Sequence, residues 1–412
     1  MAAAAASISG SRTCYPSGGV PMASGGRRRT VIRSSFAPGS PASTPSTVRI
    51  GSKWTELQGA RDWDGLLSPL DGALRGELVR YGEFVRAAYA SFDFEGGAPS
   101  YGSCRFPSRS LLRRAGMPGT GYRVTRLLHA ASSCTASLRW WLPSSSPPPC
   151  GYIGFVAVCD DEREIERLGR RDVVVAFRGT ATCGEWVDNF KSGLTRLPTI
   201  PTTMTGGGED DGEEAMVERG FWRLFTAPGE AHSSLQQQVR DEARRIAHEY
   251  GGSGAPPLSI TVTGHSLGAA LAVLTAHEIA TTQQQQQQRQ QEDGEPAAMM
   301  VTAVSFGGPR VGNAAFRRRM EESGGKVLRV VNSDDIVTKV PGFPVHEQDG
   351  GGHQPAKGMM KARLPRWLVA KMGWAYADVG RELRLSQAGS PPNVVASHDL
   401  DLYLKLVASC TD

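Results

Sequence analysis

The amino-acid sequence predicts an α/β fold, a mostly parallel central sheet flanked by helices, on two observations. Strand-like and helix-like segments alternate from residue 151 to residue 340, the order that builds parallel sheets. The strand-like runs are short and rich in β-branched residues, and the runs between them carry apolar residues at helical spacing. A chain of 412 residues with 40% apolar and 21% charged residues is long enough to bury such a core. No stretch approaches the ~18 consecutive apolar residues of a membrane-spanning helix.

The N-terminal segment stands apart. Residues 1–55 hold seven basic residues (Arg12, Arg27, Arg28, Arg29, Arg33, Arg49 and Lys53) and no Asp or Glu. The remainder has 39 basic against 41 acidic residues, so the net charge of +5 comes from the leader. A near-neutral body gives no support for nucleic-acid binding. The leader is rich in Ala, Ser, Gly and Arg and lacks the apolar stretch of a secretory signal. Residues 1–53 therefore read as a disordered organellar transit peptide. The Ser, Ala, Gly and Pro content favours the plastid (chloroplast), with the mitochondrion as an alternative or additional site. The seven cysteines include no CxxC pair and no metal-type spacing. Cys14 leaves with the leader, and the others are expected as free thiols, with Cys104 and Cys134 a candidate redox-sensitive pair.

Residues 54–150 are expected as a helical and loop region that packs on the core. Leu74, Leu78, Tyr81, Val85 and Tyr89 recur at helical spacing within 65–92. Residues 93–150 read as loop, with Gly96-Gly97 and a Ser/Pro run at 144–149. The core is expected over 151–412. Its first strands are 151–159 (GYIGFVAVC) and 172–177 (DVVVAF), joined by a charged hairpin connection. The polar stretch 194–215 reads as a surface loop and 221–250 as a helix. Residues 259–263 (SITVT) read as a strand, 267–280 as a helix, and 301–306 and 327–331 as further buried strands. The Gln tract cannot build a core, and 282–297 is expected as a disordered insertion.

Chemistry concentrates at 259–276, SITVTGHSLGAALAVLTA. Gly264, His265, Ser266, Leu267 and Gly268 form a GxSxG pattern between a strand and an Ala/Leu-rich helix. That is the setting of a nucleophile elbow. The turn leaves no room for a Cβ two positions either side of the serine, so Gly264 and Gly268 are required. The strained serine presents its Oγ at the sheet edge, and the new helix aims its N-terminus at a developing oxyanion. His265 reads as a packing or turn residue, because neighbours on a tight turn point apart. A serine nucleophile needs a base, and the base needs an orienting acid. The strand at 327–331 runs into Asp334 and Asp335, where α/β sites form. His346, His353 and His398 follow as candidate bases. His129, His232, His248 and His277 read as structural or solvated.

A resemblance extends this reading. The segments WTELQGARDWDGLLSPLDGALRGELVRYGEFVRAAYASFDF (54–94), FRGTATCGEWVDNF (177–190), TGHSLGAALA (263–272), SFGGPRVGN (305–313), VVNSDDIVTKVPG (330–342), WAYADVGRELRL (374–385) and SHDLDLYLKLV (397–407) occur in order. With GSCRF, GYIGF and ERGFWRLF between them, they make the chain resemble plant class 3 (fungal-lipase-like) lipases of the plastid phospholipase A1 class I group. The resemblance implies an α/β-hydrolase fold and a Ser266–Asp335–His398 triad. It implies an oxyanion hole from the backbone N–H groups of Thr180 and Leu267, and no metal or cofactor. It matches 184–192 to a lid helix with Trp186, Val187 and Phe190 on its apolar face. It implies hydrolysis of the sn-1 acyl ester of membrane phospholipids or galactolipids, and of triacylglycerol as a further substrate, with release of fatty acid for jasmonate synthesis. Residues 355–374 carry Lys361, Arg363, Arg366, Trp367 and Lys371 among apolar neighbours, a pattern suited to a lipid surface. The triad alone does not separate a lipase from a soluble carboxylesterase or acyltransferase. A lipase-like interaction protein without catalysis is the reading from another class, and the filled triad and oxyanion positions weigh against it.

Overall fold

The β-branched runs form the centre of one seven-stranded sheet with strand order β1-β2-β3-β6-β7-β8-β9. In this computed structural model the strands are β1 (Tyr122–Ala131), β2 (Cys150–Cys159), β3 (Arg171–Phe177), β6 (Leu258–His265), β7 (Met300–Phe306), β8 (Lys326–Asn332) and β9 (Arg381–Leu385). Two short strands, β4 (Leu194–Arg196) and β5 (Met216–Glu218), pair separately. The structure describes residues 49–95, 98–131, 150–180, 193–198, 214–229, 231–290, 299–341, 375–386 and 396–410. All of them fall within the unit Ser40–Asp412. The leader, the expected lid residues Trp186, Val187 and Phe190, and the expected membrane contacts Lys361, Arg363, Arg366, Trp367 and Lys371 lie outside the described residues.

β3, β6, β7, β8 and β9 run parallel, while β1, β2 and β3 are antiparallel. Every residue of β6 is buried, as expected of a parallel strand covered on both faces. The helices are α1 (Trp54–Leu57), α2 (Gly72–Ala90), α3 (Leu111–Arg114), α4 (Glu162–Leu168), α5 (Arg219–Thr226), α6 (Leu235–Tyr250), α7 (Leu267–Gln290), α8 (Ala314–Glu322) and α9 (Leu400–Ser409). Side chains of α5 to α8 pack on one face of the sheet with Val173, Val175, Ile260 and Val262. Side chains of α2 and α9 pack on the other with Val174, Ala176, Phe306 and Val330. α2 begins where Asp71 accepts from Ala73 N (2.8 Å) and Leu74 N (3.0 Å), the capping that frees helix N–H groups from water. Its buried stripe includes Leu74, Leu78, Tyr81, Val85 and Tyr89.

Four sequence expectations are corrected. β1 lies in the stretch read as loop; it is an edge strand whose Arg123, Arg126 and His129 interrupt the apolar pattern, and its pairing carries two register shifts. The charged connection between β2 and β3 contains α4. Only Ile165 and Leu168 of it are buried, Asp161 caps it, and Gly169 ends it at φ 71°. The helix expected over 221–250 is two helices, α5 ending at Thr226 and α6 starting after the Ser234 cap. Residues 282–290 of the expected disordered insertion continue α7 as helix. Glutamine is a good helix former, and extending an existing helix needs no new nucleus. Gln283 Nε2 also donates to Met299 O (3.0 Å). Residues 291–298 lie outside the described residues. Cys104 is a free thiol, and Cys134 lies outside the described residues.

A charged network joins α2 to the starting ends of β3 and β6. Arg170 is fully buried and donates to Glu77 Oε2 (2.9 Å), Tyr81 Oη (2.9 Å) and Ser259 Oγ (2.8 Å). Arg80 contacts both Glu77 Oε2 (2.6 Å) and Asp172 Oδ2 (3.0 Å). Burial alone would push the Glu77 carboxyl up; Arg80 and Arg170 outweigh it and hold the group down at about 2.

Candidate active site

The parallel register brings the C-terminal ends of four strands to one edge. Phe177 lies beside Gly264, His265 beside Phe306, and Phe306 beside Val330. The turns that follow these strands carry the predicted chemistry. β6 ends at His265 and α7 begins at Leu267, so Ser266 alone makes the turn, at φ 60°. That left-handed conformation is strained for a residue with a Cβ. Its neighbours show why. A Cβ on Gly264 would collide with the Gly268 carbonyl, and one on Gly268 would lie 2.6 Å from the carbonyl oxygens of Phe177 and Arg178. Ser266 N donates to Phe306 O (3.1 Å), and Ser266 O accepts from Ala269 N (3.0 Å). Leu267, half-buried, is the first residue of α7, where N–H groups have no intrahelical acceptor.

The strand end after β3 passes directly over this elbow. A Cβ on Gly179 would come within 3.0 Å of Ser266 Cβ and 2.8 Å of His265 O. Thr180 follows, half-buried, and is the last described residue of that segment.

The candidate acids separate clearly. Asp334 is exposed, whereas Asp335 is fully buried. Asp335 Oδ1 accepts from Val337 N (2.9 Å), and Oδ2 accepts from Tyr403 Oη (2.7 Å) and His398 Nδ1 (2.7 Å). Tyr403 in turn accepts from Asn332 N (3.1 Å). Burial, then the Asp335 charge, push the Tyr403 hydroxyl well above its ordinary range, so it stays a donor. Asn332 Nδ2 donates to Ser397 O (2.9 Å), tying the end of β8 to the turn Ala396–His398. Among the three histidines downstream of the acid, His398 meets the carboxylate; His346 and His353 lie outside the described residues. The Nδ1 contact assigns a proton to that nitrogen and leaves Nε2 as the acceptor. Nε2 is buried and has no hydrogen-bond partner among the described residues. The bond from Ser266 Oγ is not made here, a looseness that unliganded sites commonly show.

His265 does more than fill the turn. Its Nε2 donates to His398 O (2.9 Å), and its Nδ1 accepts from Tyr89 Oη (2.9 Å). A carbonyl can only accept, which sets the tautomer. Burial, then His398, hold its pKa well below the ordinary histidine range. The elbow, the His398 turn and α2 are thereby linked through one neutral imidazole. Sequence reasoning missed Tyr89, Asn332 and Tyr403. Their helical and strand positions announced only core packing.

Two buried histidines and the half-buried His129 set an acid limit on stability. His277 on α7 is lowered to about 4, mainly by burial. His129 is also lowered to about 4, by burial and then by His232, stacked on it at 4.0 Å. With His265, the folded chain binds about three fewer protons than the unfolded chain between the folded values and ~6.5. Stability is therefore full above pH ~6.5 and falls as the pH drops toward ~4. Urea unfolding at pH 7 and pH 5 checks this: the midpoint is expected to be lower at pH 5, and an equal or higher midpoint refutes the assignment.

Residues 174–345, which contain the elbow and the buried acid, match the family described as lipase (class 3). The phospholipase A(1) DAD1, chloroplastic, of Arabidopsis thaliana is 46% identical over 89% of this chain and 79% of its own length. Phospholipase A1 EG1, chloroplastic/mitochondrial, of Oryza sativa subsp. indica is 37% identical over 89% of this chain and 77% of its own. Galactolipase DONGLE, chloroplastic, of Arabidopsis thaliana is 36% identical over 88% and 71%. Among solved structures, the native Rhizomucor miehei lipase propeptide complex aligns at 16% identity and TM-score 0.42, over 83% of this chain and 84% of that one. With an elbow serine and a buried His–Asp pair at one edge of its parallel sheet, and 46% identity to a relative across 89% of its length, this chain belongs to the class 3 lipase family of carboxylic ester hydrolases.

Proposed function

We propose that the chain is a lipid acyl hydrolase of phospholipase A1 type, acting on the sn-1 ester of membrane phospholipids or galactolipids, with triacylglycerol as a further substrate. The observation that carries the mechanism is His398, with Nδ1 on Asp335 at 2.7 Å and Nε2 left open beside the elbow. His398 Nε2 takes the Ser266 Oγ proton as Oγ attacks the acyl carbonyl carbon. The oxyanion rests on the N–H groups of Leu267 and Thr180. Collapse breaks the ester bond, and the leaving glycerol oxygen takes the proton from His398. Water then gives its proton to His398 and attacks the acyl-enzyme. Free fatty acid departs, and Ser266 recovers its proton. Asp335 holds the imidazole in register and stabilises its cationic form. The names of the relatives support a lipid substrate and a plastid location, reached through the transit peptide at 1–53, with the mitochondrion as an additional site. The resemblance to plastid phospholipases A1 supports a role for the released fatty acid in jasmonate synthesis.

The test is hydrolysis of vesicles of monogalactosyldiacylglycerol or phosphatidylcholine carrying different acyl chains at sn-1 and sn-2, using the chain from Lys53 onward. Release of the sn-1 chain, absent in Ser266→Ala, is the expected result. Cleavage of only a soluble short-chain ester would make the protein a carboxylesterase. Release of the sn-2 chain alone would refute the A1 assignment.

A further inference from the structure

Among the described residues, the exposed large hydrophobic side chains are Phe94 (37%) and Tyr101 (51%). They lie on one loop, whose described residues are tied together by backbone hydrogen bonds. Asp93 N donates to Ser103 O (3.0 Å), Gly102 N to Asp93 O (3.1 Å) and Arg105 N to Ser91 O (2.7 Å). Both rings pack edge-on against the buried Phe92, at 4.6 and 6.1 Å. Ring surface exposed to water costs free energy, which a covering apolar layer recovers.

The same surface is basic. Arg105, Arg109, Arg113 and Arg114 are exposed, and among the described residues none of the four forms an ion pair. Arg105 and Arg114 flank the Phe106 ring at 5.6 and 5.8 Å. Residues 96–159 contain no Asp or Glu. The acids of the loop are Asp93 and Glu95, which the arginines outnumber.

This surface is continuous with the candidate active site. The Arg178 guanidinium stacks 3.6 Å from the Phe92 ring centroid and donates to Gly179 O (2.8 Å). Gly179 lies against Ser266, and Tyr152 N, beside it on β2, donates to Gly102 O (2.8 Å). The aromatic loop therefore sits at the edge where the nucleophile opens.

We propose that Phe94, Tyr101 and the exposed arginines 105 to 114 form a docking face for a bilayer surface bearing anionic headgroups, which sets the elbow against the lipid. The proposal rests on the lipid acyl hydrolase reading. Rings of this kind settle at the headgroup level, and each arginine near an anionic surface strengthens binding about fivefold. The face is distinct from the groups that act on the substrate ester.

The experiment is vesicle flotation of the chain carrying Ser266→Ala, so that the lipid stays intact. Vesicles are phosphatidylcholine alone or mixed with phosphatidylglycerol, at low and high salt. Binding to the mixed vesicles is expected to be tighter and to weaken with salt. Arg105→Gln/Arg113→Gln/Arg114→Gln is expected to lose about a hundredfold on mixed vesicles. The matching three Lys substitutions are expected to retain binding, and Phe94→Ser/Tyr101→Ser to weaken binding to both vesicle types. Thermal unfolding verifies that each variant is folded. Equal binding to the two vesicle types, or parental binding by both the Gln and Ser variants, overturns the proposal. Hydrolysis of a soluble short-chain ester, measured with Ser266 restored, separates the two readings. If that ester is never cleaved while flotation follows the expected pattern, the hydrolase reading fails and the docking face stands.

Discussion

Ser266→Ala is expected to lower kcat for ester hydrolysis by about 10⁶-fold, the loss seen when a serine nucleophile is removed from such a machine. The reason is positional. Ser266 is the single residue between β6 and α7, held at a φ of 60°. His398→Ala is expected to cost about as much, and the double substitution no more than either alone, because nucleophile and base act as one unit. Asp335→Asn separates orientation from charge. An amide in place of the carboxylate favours the wrong imidazole tautomer and is expected to lower kcat by about 10⁴-fold. It keeps an acceptor for one of the donors Val337 N and Tyr403 Oη, so the fold survives. Steady-state kinetics on a soluble ester, with circular dichroism as the folding control, decides all three. Activity within tenfold of the parent in Ser266→Ala would remove the serine from the mechanism.

Arg170→Met is expected to destabilise the fold by about 3–5 kcal/mol, the usual result of breaking a buried ion pair from one side. A domain of this kind has only about 5–15 kcal/mol in total. Arg170 is 0% exposed, and its loss takes the donor from Ser259 Oγ and one donor each from Glu77 and Tyr81. Arg80 still reaches Glu77 and Asp172, which limits the damage. The network sits at the starting ends of β3 and β6, where Asp172 lies beside Ser259, while Ser266 follows the other end. The folded fraction is therefore expected to keep its specific activity. Urea denaturation gives the stability change, and activity per folded molecule gives the control. A shift below about 1 kcal/mol, the scale of a surface pair, would mean that the network contributes little to cohesion.

The network also ties α2, far upstream in the chain, into the core. α2 then brings Tyr89 to His265. The N-terminal region is thus part of the frame of the site, and the same helix leads into the loop that carries Phe94.

The sequence by itself determined whatever is set within about ten residues. The elbow was readable because its strand, its two obligate glycines, its serine and its helix are contiguous, and steric exclusion of a Cβ is a local fact. The buried strands were readable because β-branched runs fit a covered sheet whatever the surrounding order. Tertiary structure decided the rest. Asp334 and Asp335 are adjacent and chemically alike; the resemblance pointed to Asp335, and the physical ground is the burial of that one beneath Tyr403 and beside His398. His398 lies 63 residues beyond its acid, and its turn is held by His265 at His398 O and by Asn332 at Ser397 O, from two strands. α4 has too few apolar positions to announce itself, those of β1 are interrupted by Arg123, Arg126 and His129, and their partners supply the burial. The Gln tract was misread for the converse reason: a helix nucleated in the core carries residues that would not start one alone. A polar side chain acquires its role when distant segments exclude water around it, because a hydrogen bond or charge pair gains its strength only where the dielectric is low.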